Sequence, residues 1–103
     1  MALHLYETGN GALSYTTDID RAWQLEEVRI HLSANGGAGT FTVTIDSAQG
    51  EAYDLELATN DMSADDDYQY QPTRPMFMAP GDQVKVTYPN AQTKTYGLEI
   101  IYR

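Results

Sequence analysis

Between Trp23 and Ile45 the chain alternates apolar and polar residues so regularly that few folds remain open to it. Phe41, Val43 and Ile45 fall on one face, with Thr40, Thr42 and Thr44 on the other. Just upstream, Val28, Ile30 and Leu32 alternate with Glu27, Arg29 and His31. A period of two over runs of this length specifies half-buried β-strands. The six-residue link Ala34-Asn35-Gly36-Gly37-Ala38-Gly39 between the runs predicts one long antiparallel hairpin, whose apolar side the remaining strands cover. One irregularity interrupts the pattern. Trp23 and Leu25 have odd parity, whereas Val28, Ile30 and Leu32 are even. A one-residue slip turns every following side chain to the opposite face, so a β-bulge at Glu26-Glu27 is expected, with Trp23 displaced from the main core face. The alternative is a separate short strand holding Trp23 and Leu25.

The rest of the chain repeats this grammar. Leu3 and Leu5, then Leu13 to Thr17, read as strands around a Gly9-Asn10-Gly11 turn, and residues 1–17 form a candidate N-terminal arm. Tyr53, Leu55 and Leu57 alternate with Asp54, Glu56 and Ala58 after a Gly50-containing turn. Residues 59–67 read as a polar loop. Pro72 and Pro75 break the following extended segment, and a proline lacks the ladder donor, so this is an edge or linking strand. Val84, Val86 and Tyr88, and then Tyr96, Leu98 and Ile100, predict a second antiparallel pair. Seven or eight short strands with turn signals between them indicate an all-β, two-sheet antiparallel sandwich, jelly-roll-like or Ig-like, as a single domain over 1–103.

Composition bounds the function. A chain of 103 residues buries roughly two thirds of its unfolded surface, enough for a core without staples, and it has no cysteine to make one. Fifteen acids against six bases give a net charge of −9. Binding nucleic acid through phosphates needs clustered cations, and here the two lysines and four arginines are scattered. An acidic surface fits solubility or a basic partner. No apolar run approaches the ~18 residues of a membrane span, and the N-terminal residues lack the basic and apolar regions of a signal peptide.

Three features are candidates for chemistry. Between Asp46 and Asp67 stand eight acids and no base, and Asp61, Asp65 and Asp67 are candidate oxygen ligands for calcium. The calcium-loop pattern fails, with Asp66 where its glycine belongs and Pro72 where its glutamate belongs, so a solvated turn is the preferred reading and no metal or cofactor is expected. His4 and His31 have no partner at metal-ligand spacing, no serine elbow exists, and no pair of carboxylates is singled out by spacing, so no enzyme activity and no catalytic residue is expected. The third feature is aromatic. Tyr53, Tyr88, Tyr96 and Tyr102 fall on apolar faces and are expected in the core or at its rim. Tyr68 and Tyr70, beside Met76, Phe77 and Met78 in the proline-broken segment, have the composition of an interface and form the candidate contact surface; a platform for sugar rings is the rival reading.

The strings Leu25–Ser33 (LEEVRIHLS), Phe41–Ser47 (FTVTIDS), Pro80–Tyr88 (PGDQVKVTY) and Tyr96–Tyr102 (YGLEIIY) resemble those of small β-sandwich proteins that decorate, or cement, the heads of tailed bacteriophages. This resemblance implies a mechanical role: made in the host cytoplasm, copies sit on the capsid surface, as trimers in the favoured arrangement, and bridge subunits of the major capsid protein or another virion protein. From charge and hydropathy, no nucleic-acid or membrane partner is expected. Many identical contacts on a lattice give avidity without a tight single interface. A lectin-like carbohydrate-binding module, with or without calcium, is the competing class.

Overall fold

The computed structural model describes all 103 residues. Nine antiparallel strands form two packed sheets: β1 (Leu3–Gly9), β2 (Leu13–Thr16), β3 (Trp23–Leu32), β4 (Thr40–Asp46), β5 (Leu55–Asp61), β6 (Asp67–Tyr70), β7 (Met76–Met78), β8 (Gln83–Tyr88) and β9 (Tyr96–Tyr102). The first sheet runs β1-β9-β3-β6, with β7 also beside β3; the second runs β2-β8-β4-β5. β6 pairs with Val28–His31 and β7 with Trp23–Leu25, so they lie end to end in one lane, separated by the Pro72–Pro75 break. Four lanes face four lanes, and the chain passes from one sheet to the other at nearly every turn. This is the jelly-roll order, and it selects between the two sandwich types left open by the sequence.

The topology corrects the two expected hairpins. β3 and β4 lie in different sheets, as do β8 and β9. Alternation specifies which side of a strand is buried, and two strands facing each other across a core alternate just as two strands side by side do. The 34–39 link crosses from sheet to sheet. Gly36 lies beneath Tyr88, whose buried hydroxyl donates to the Gly36 carbonyl at 3.0 Å. A Cβ on Gly36 would sit 2.1 Å from that hydroxyl oxygen and 2.8 Å from Leu32 Cδ1. Gly37, with φ +72°, takes the left-handed conformation that glycine adopts without strain.

Residues 1–17, expected as an arm, are built into the body instead. β1 pairs with β9 over seven positions, from Leu3 opposite Tyr102 to Gly9 opposite Tyr96, and β2 pairs with β8. They are the edge strands of the two sheets. The bulge is where parity placed it: Leu25 pairs with Tyr102 and Glu27 with Ile101, leaving Glu26 as the extra residue. Its effect on Trp23 is the reverse of expectation. The slip returns Trp23 and Leu25 to the side of Val28, Ile30 and Leu32, and all five are buried in one core with Phe41, Val43, Val84, Val86, Tyr88, Leu98 and Ile100. Full burial of a side chain such as Phe41 or Ile30 is worth on the order of 1.5–3 kcal/mol, and the Trp23 ring meets Tyr102 edge-on at 5.6 Å.

A second bulge, between Val43 and Thr44 of β4 against Ala58 and Glu56 of β5, breaks the expected alternation there. Leu57 and Ala58 both pack inward, while Leu55 is exposed and Tyr53, in the 3-10 turn Glu51–Tyr53, is exposed with it. Met62 is fully buried from within the segment read as a polar loop. Replacing Gly36 with alanine is expected to lower stability by about 1–3 kcal/mol, because the methyl group must displace Tyr88 or Leu32 from a packed site. Urea denaturation followed by fluorescence of the sole tryptophan measures it, and a curve superimposable on the parent's would contradict the close approach.

Candidate functional site

The Glu26 bulge that turns Trp23 inward also turns Glu27 outward, onto the outer face of the first sheet. Its residue is nevertheless only 6% exposed. An isolated buried carboxylate costs several kcal/mol, so it persists only with partners. Glu27 has three: Arg29 Nε, Gln69 Nε2 and, at 2.9 Å, Gln71 Nε2 all donate to it. Arg29 donates onward through Nη1 to Glu99 Oε1 at 3.2 Å, and His4 Nδ1 lies 2.6 Å from Glu99 Oε2. The result is a ladder across four strands, from Gln69 on β6 through β3 and β9 to His4 on β1. Cross-strand registers place its rungs: Arg29 opposite Gln69 and Glu99, and Glu99 opposite Tyr6. The Arg29 bond holds the Glu27 carboxyl below its ordinary value near 4.5, against the opposing effect of burial. The His4 bond does the same for Glu99, with the charge of Arg29 adding to it.

One step along the sheet, the same face hollows. Gly97 lies in β9 between Thr8 of β1 and His31 of β3. With no side chain there, an open groove of about 760 Å³ runs over it, bordered by Tyr6, Thr8, Arg29, His31, Asp67, Gln69 and Glu99. Glycine weakens a strand interior by roughly 0.5–1 kcal/mol relative to alanine. Here the fold gives no reason for it, since φ is not positive and a Cβ would meet nothing within 4 Å. Tyr6 is 72% exposed at the groove wall and its ring stacks on His4, centroids 6.0 Å apart and planes 9° apart.

The candidate contact residues are distributed differently from expectation. Met78 is 2% exposed and belongs to the core. Tyr68, Tyr70 and Met76 pack against it half-buried, with Tyr68 edge-on to Phe41 at 5.9 Å across the two sheets. Phe77 alone projects, at 76% exposed. Their positions alternate, so a strand lane that covers one side of a core must take every second residue inward. The three loop acids do not converge as metal ligands. Asp61 accepts from the Ser63 amide as the cap of the 3-10 turn Met62–Ala64, Asp65 accepts from Asn60 Nδ2 at 3.0 Å, and Asp67 stands across from His31.

Exposed apolar residues collect elsewhere. Leu3 is opposite Tyr102, which is opposite Leu25; Phe77 is opposite Gln24; Leu55 is opposite Ile45, which is opposite Val84. These registers put Leu3, Phe77, Leu55, and with them Met1 and Tyr53, at one end of the sandwich. Of the six exposed large apolar residues only Tyr6 lies away from it. The two loops of that end are tied together, since Asp82 accepts from the amides of Ala48 and Ala79, each at 2.9 Å. The opposite end holds none of these apolar residues and is likewise tied by hydrogen bonds. There Asn90 Nδ2 donates to the carbonyls of Gly11 and Lys94, and the Gly36 amide donates to the carbonyl of Met62. The sequence signal for the ladder was weak, because Glu27 meets Gln69 and Gln71 only through a pairing that joins segments about forty residues apart.

No family model matches the chain, and no curated protein matches it. Among solved structures it is similar to the Drosophila NLP core, a structure described for pentamer formation and histone binding, with a TM-score of 0.53 and 13% identity over 99% of this chain and 97% of that one. At that identity the likeness is one of fold.

Because both ladder carboxyls titrate below their ordinary value, the stability they add is fully present above about pH 4.5 and declines as pH falls through their lowered folded values, where the unfolded chain takes up protons first. Glu27→Gln is expected to reduce stability at pH 7 by about 1.5–3 kcal/mol, the scale of a hydrogen bond to a charged group, and to flatten this acid-side decline. Denaturation midpoints between pH 7 and pH 3 test both; an unchanged slope would contradict the ladder's role.

Proposed function

We propose that this protein is an accessory structural protein of a virion, a head decoration protein of a tailed bacteriophage that docks on the capsid surface through one end of its jelly roll. The observation that carries the reading is that Met1, Leu3, Tyr53, Leu55 and Phe77, five of the six exposed large apolar residues, all lie at that end. Exposed large apolar residues confined to one end of a domain have the character of a binding surface. Acidic residues flank it at Glu51, Asp54 and Glu56, which keeps a free subunit soluble and sets the polarity of the partner surface it fits. The likeness of the strings in β3, β4, β8 and β9 to head decoration proteins supports the same class.

In this reading the partner is the major capsid protein or another repeating virion protein, and the copies form a closed symmetric oligomer. Repetition supplies the strength, because each copy contributes a modest contact that the lattice multiplies. The trimer implied by the resemblance to decoration proteins and a pentamer like that described for the fold neighbour are separated by subunit counting in native mass spectrometry.

The test is cosedimentation of the purified protein with shells of the encoding phage, with copy number counted by mass spectrometry. Binding should saturate at a lattice-like stoichiometry. Phe77→Asp and Leu55→Asp should each lower shell occupancy at least tenfold, while stability changes by no more than about 0.5 kcal/mol, as expected for exposed sites. A protein that stays monomeric at high concentration and leaves the shells bare would overturn the proposal.

A further inference from the structure

Gly97 is the one strand-interior glycine at which neither backbone conformation nor crowding requires the missing side chain. At Gly36 a side chain would collide with Tyr88, so structure alone accounts for the glycine. At Gly97 nothing collides, the strand is central, and any β-branched residue would strengthen it. What its absence of a side chain creates is the floor of the groove on the first sheet's outer face. We infer that this groove, floored by Gly97 and bordered by Tyr6, Arg29, His31, Asp67, Gln69 and Glu99, is a binding site for a neutral saccharide.

The chemistry of the border selects the class. A cation needs mainly acceptors and an anion mainly donors, whereas a sugar hydroxyl is both at once. The border alternates the two. Glu99 and Asp67 accept, and Gln69, whose Nε2 is held by Glu27, turns its amide oxygen free to accept. Arg29 donates, with two of its N–H groups fixed inside the ladder and, of the five a guanidinium carries, the others left over. His31 is exposed on the same wall. Tyr6 adds an exposed aromatic face, supported from behind by His4, on which the C–H side of a pyranose ring can lie.

The buried Glu27 then has a second effect beyond the fold. It holds Arg29 and Gln69 in one geometry before anything binds, so the entropy of ordering these two long side chains is not lost on binding. This site is on a sheet face, away from the apolar end discussed above, and does not depend on capsid docking. A chain that fails to bind shells leaves it intact, and a chain that binds no sugar leaves the docking surface intact.

The experiment uses the full chain on a microarray of defined oligosaccharides, with hexalysine and a sulfated hexasaccharide as charged controls. The neutral oligosaccharide of strongest signal is then titrated by amide NMR. Shifts should concentrate at Tyr6, Thr8, Arg29, His31, Gln69 and Gly97. Gly97→Leu, which fills the groove, should abolish the shifts while its melting temperature stays at or above that of the parent. Tyr6→Ala should weaken binding at least tenfold. Three results would each overturn the inference: no neutral oligosaccharide bound on the array, binding that survives Gly97→Leu, or hexalysine or the sulfated control shifting these amides in preference to every neutral sugar.

Discussion

In a strand that covers a core on one side, adding a single residue exchanges inside for outside from that point onward, and Glu26 is such a residue in β3. On one side of it Trp23 and Leu25 face the core; on the other Val28, Ile30 and Leu32 do. Without the extra residue one of these sets would face water, and burial of several large side chains at about 1.5–3 kcal/mol each would be lost. Because β3 is bonded to β9 on one side and to β6 and β7 on the other, its register is transmitted to every strand of the first sheet. The bulge thereby fixes the outer face as well, setting Glu27 beside Gln69 and Gln71 and placing Arg29 between two carboxylates.

The two surfaces of the molecule that attract attention have different physical origins. The apolar end has local causes: Phe77 takes the outward position between the inward Met76 and Met78, and the bulge at Leu57 leaves Leu55 and Tyr53 in water. The groove is a place where a row of side chains is interrupted, at Gly97, in an otherwise filled polar face. The first is soft and apolar; the second is hard, polar and held in place by charge-assisted hydrogen bonds. A docking surface that works by repetition tolerates the first kind. Recognition of a small polar molecule needs the second.

Much of the fold was legible in the sequence. Alternation placed nearly all strands, the parity slip located the bulge, and Pro72 and Pro75 identified the edge lane. What was not legible is which strand lies beside which, since the alternation of Val28–Leu32 and Phe41–Ile45 is the same whether the two share a ladder or face each other across a core. The exposure of Tyr53 and Leu55 followed from a bulge at Leu57 that no parity break announced clearly, and Met62 looked like a loop residue because its neighbours are polar. The candidate site was the least legible part. Glu27, Arg29, Glu99 and Gly97 each read as ordinary members of a solvent-facing row, and only the pairing of β1, β9, β3 and β6 makes them one arrangement.

The order of the strands in the first sheet has a consequence for how the chain is made. β9 lies between β1 and β3, so a strand synthesised late stands at the centre of its sheet and its earliest partner waits through the whole of residues 10–95. Closing so long a loop is slow. Until β9 has left the ribosome, β1 and β3 carry unpaired ladder edges and half-covered apolar faces, the state in which nascent β-proteins stick to one another. For such a chain the yield of folded molecules depends less on its final stability than on how briefly that open interval lasts.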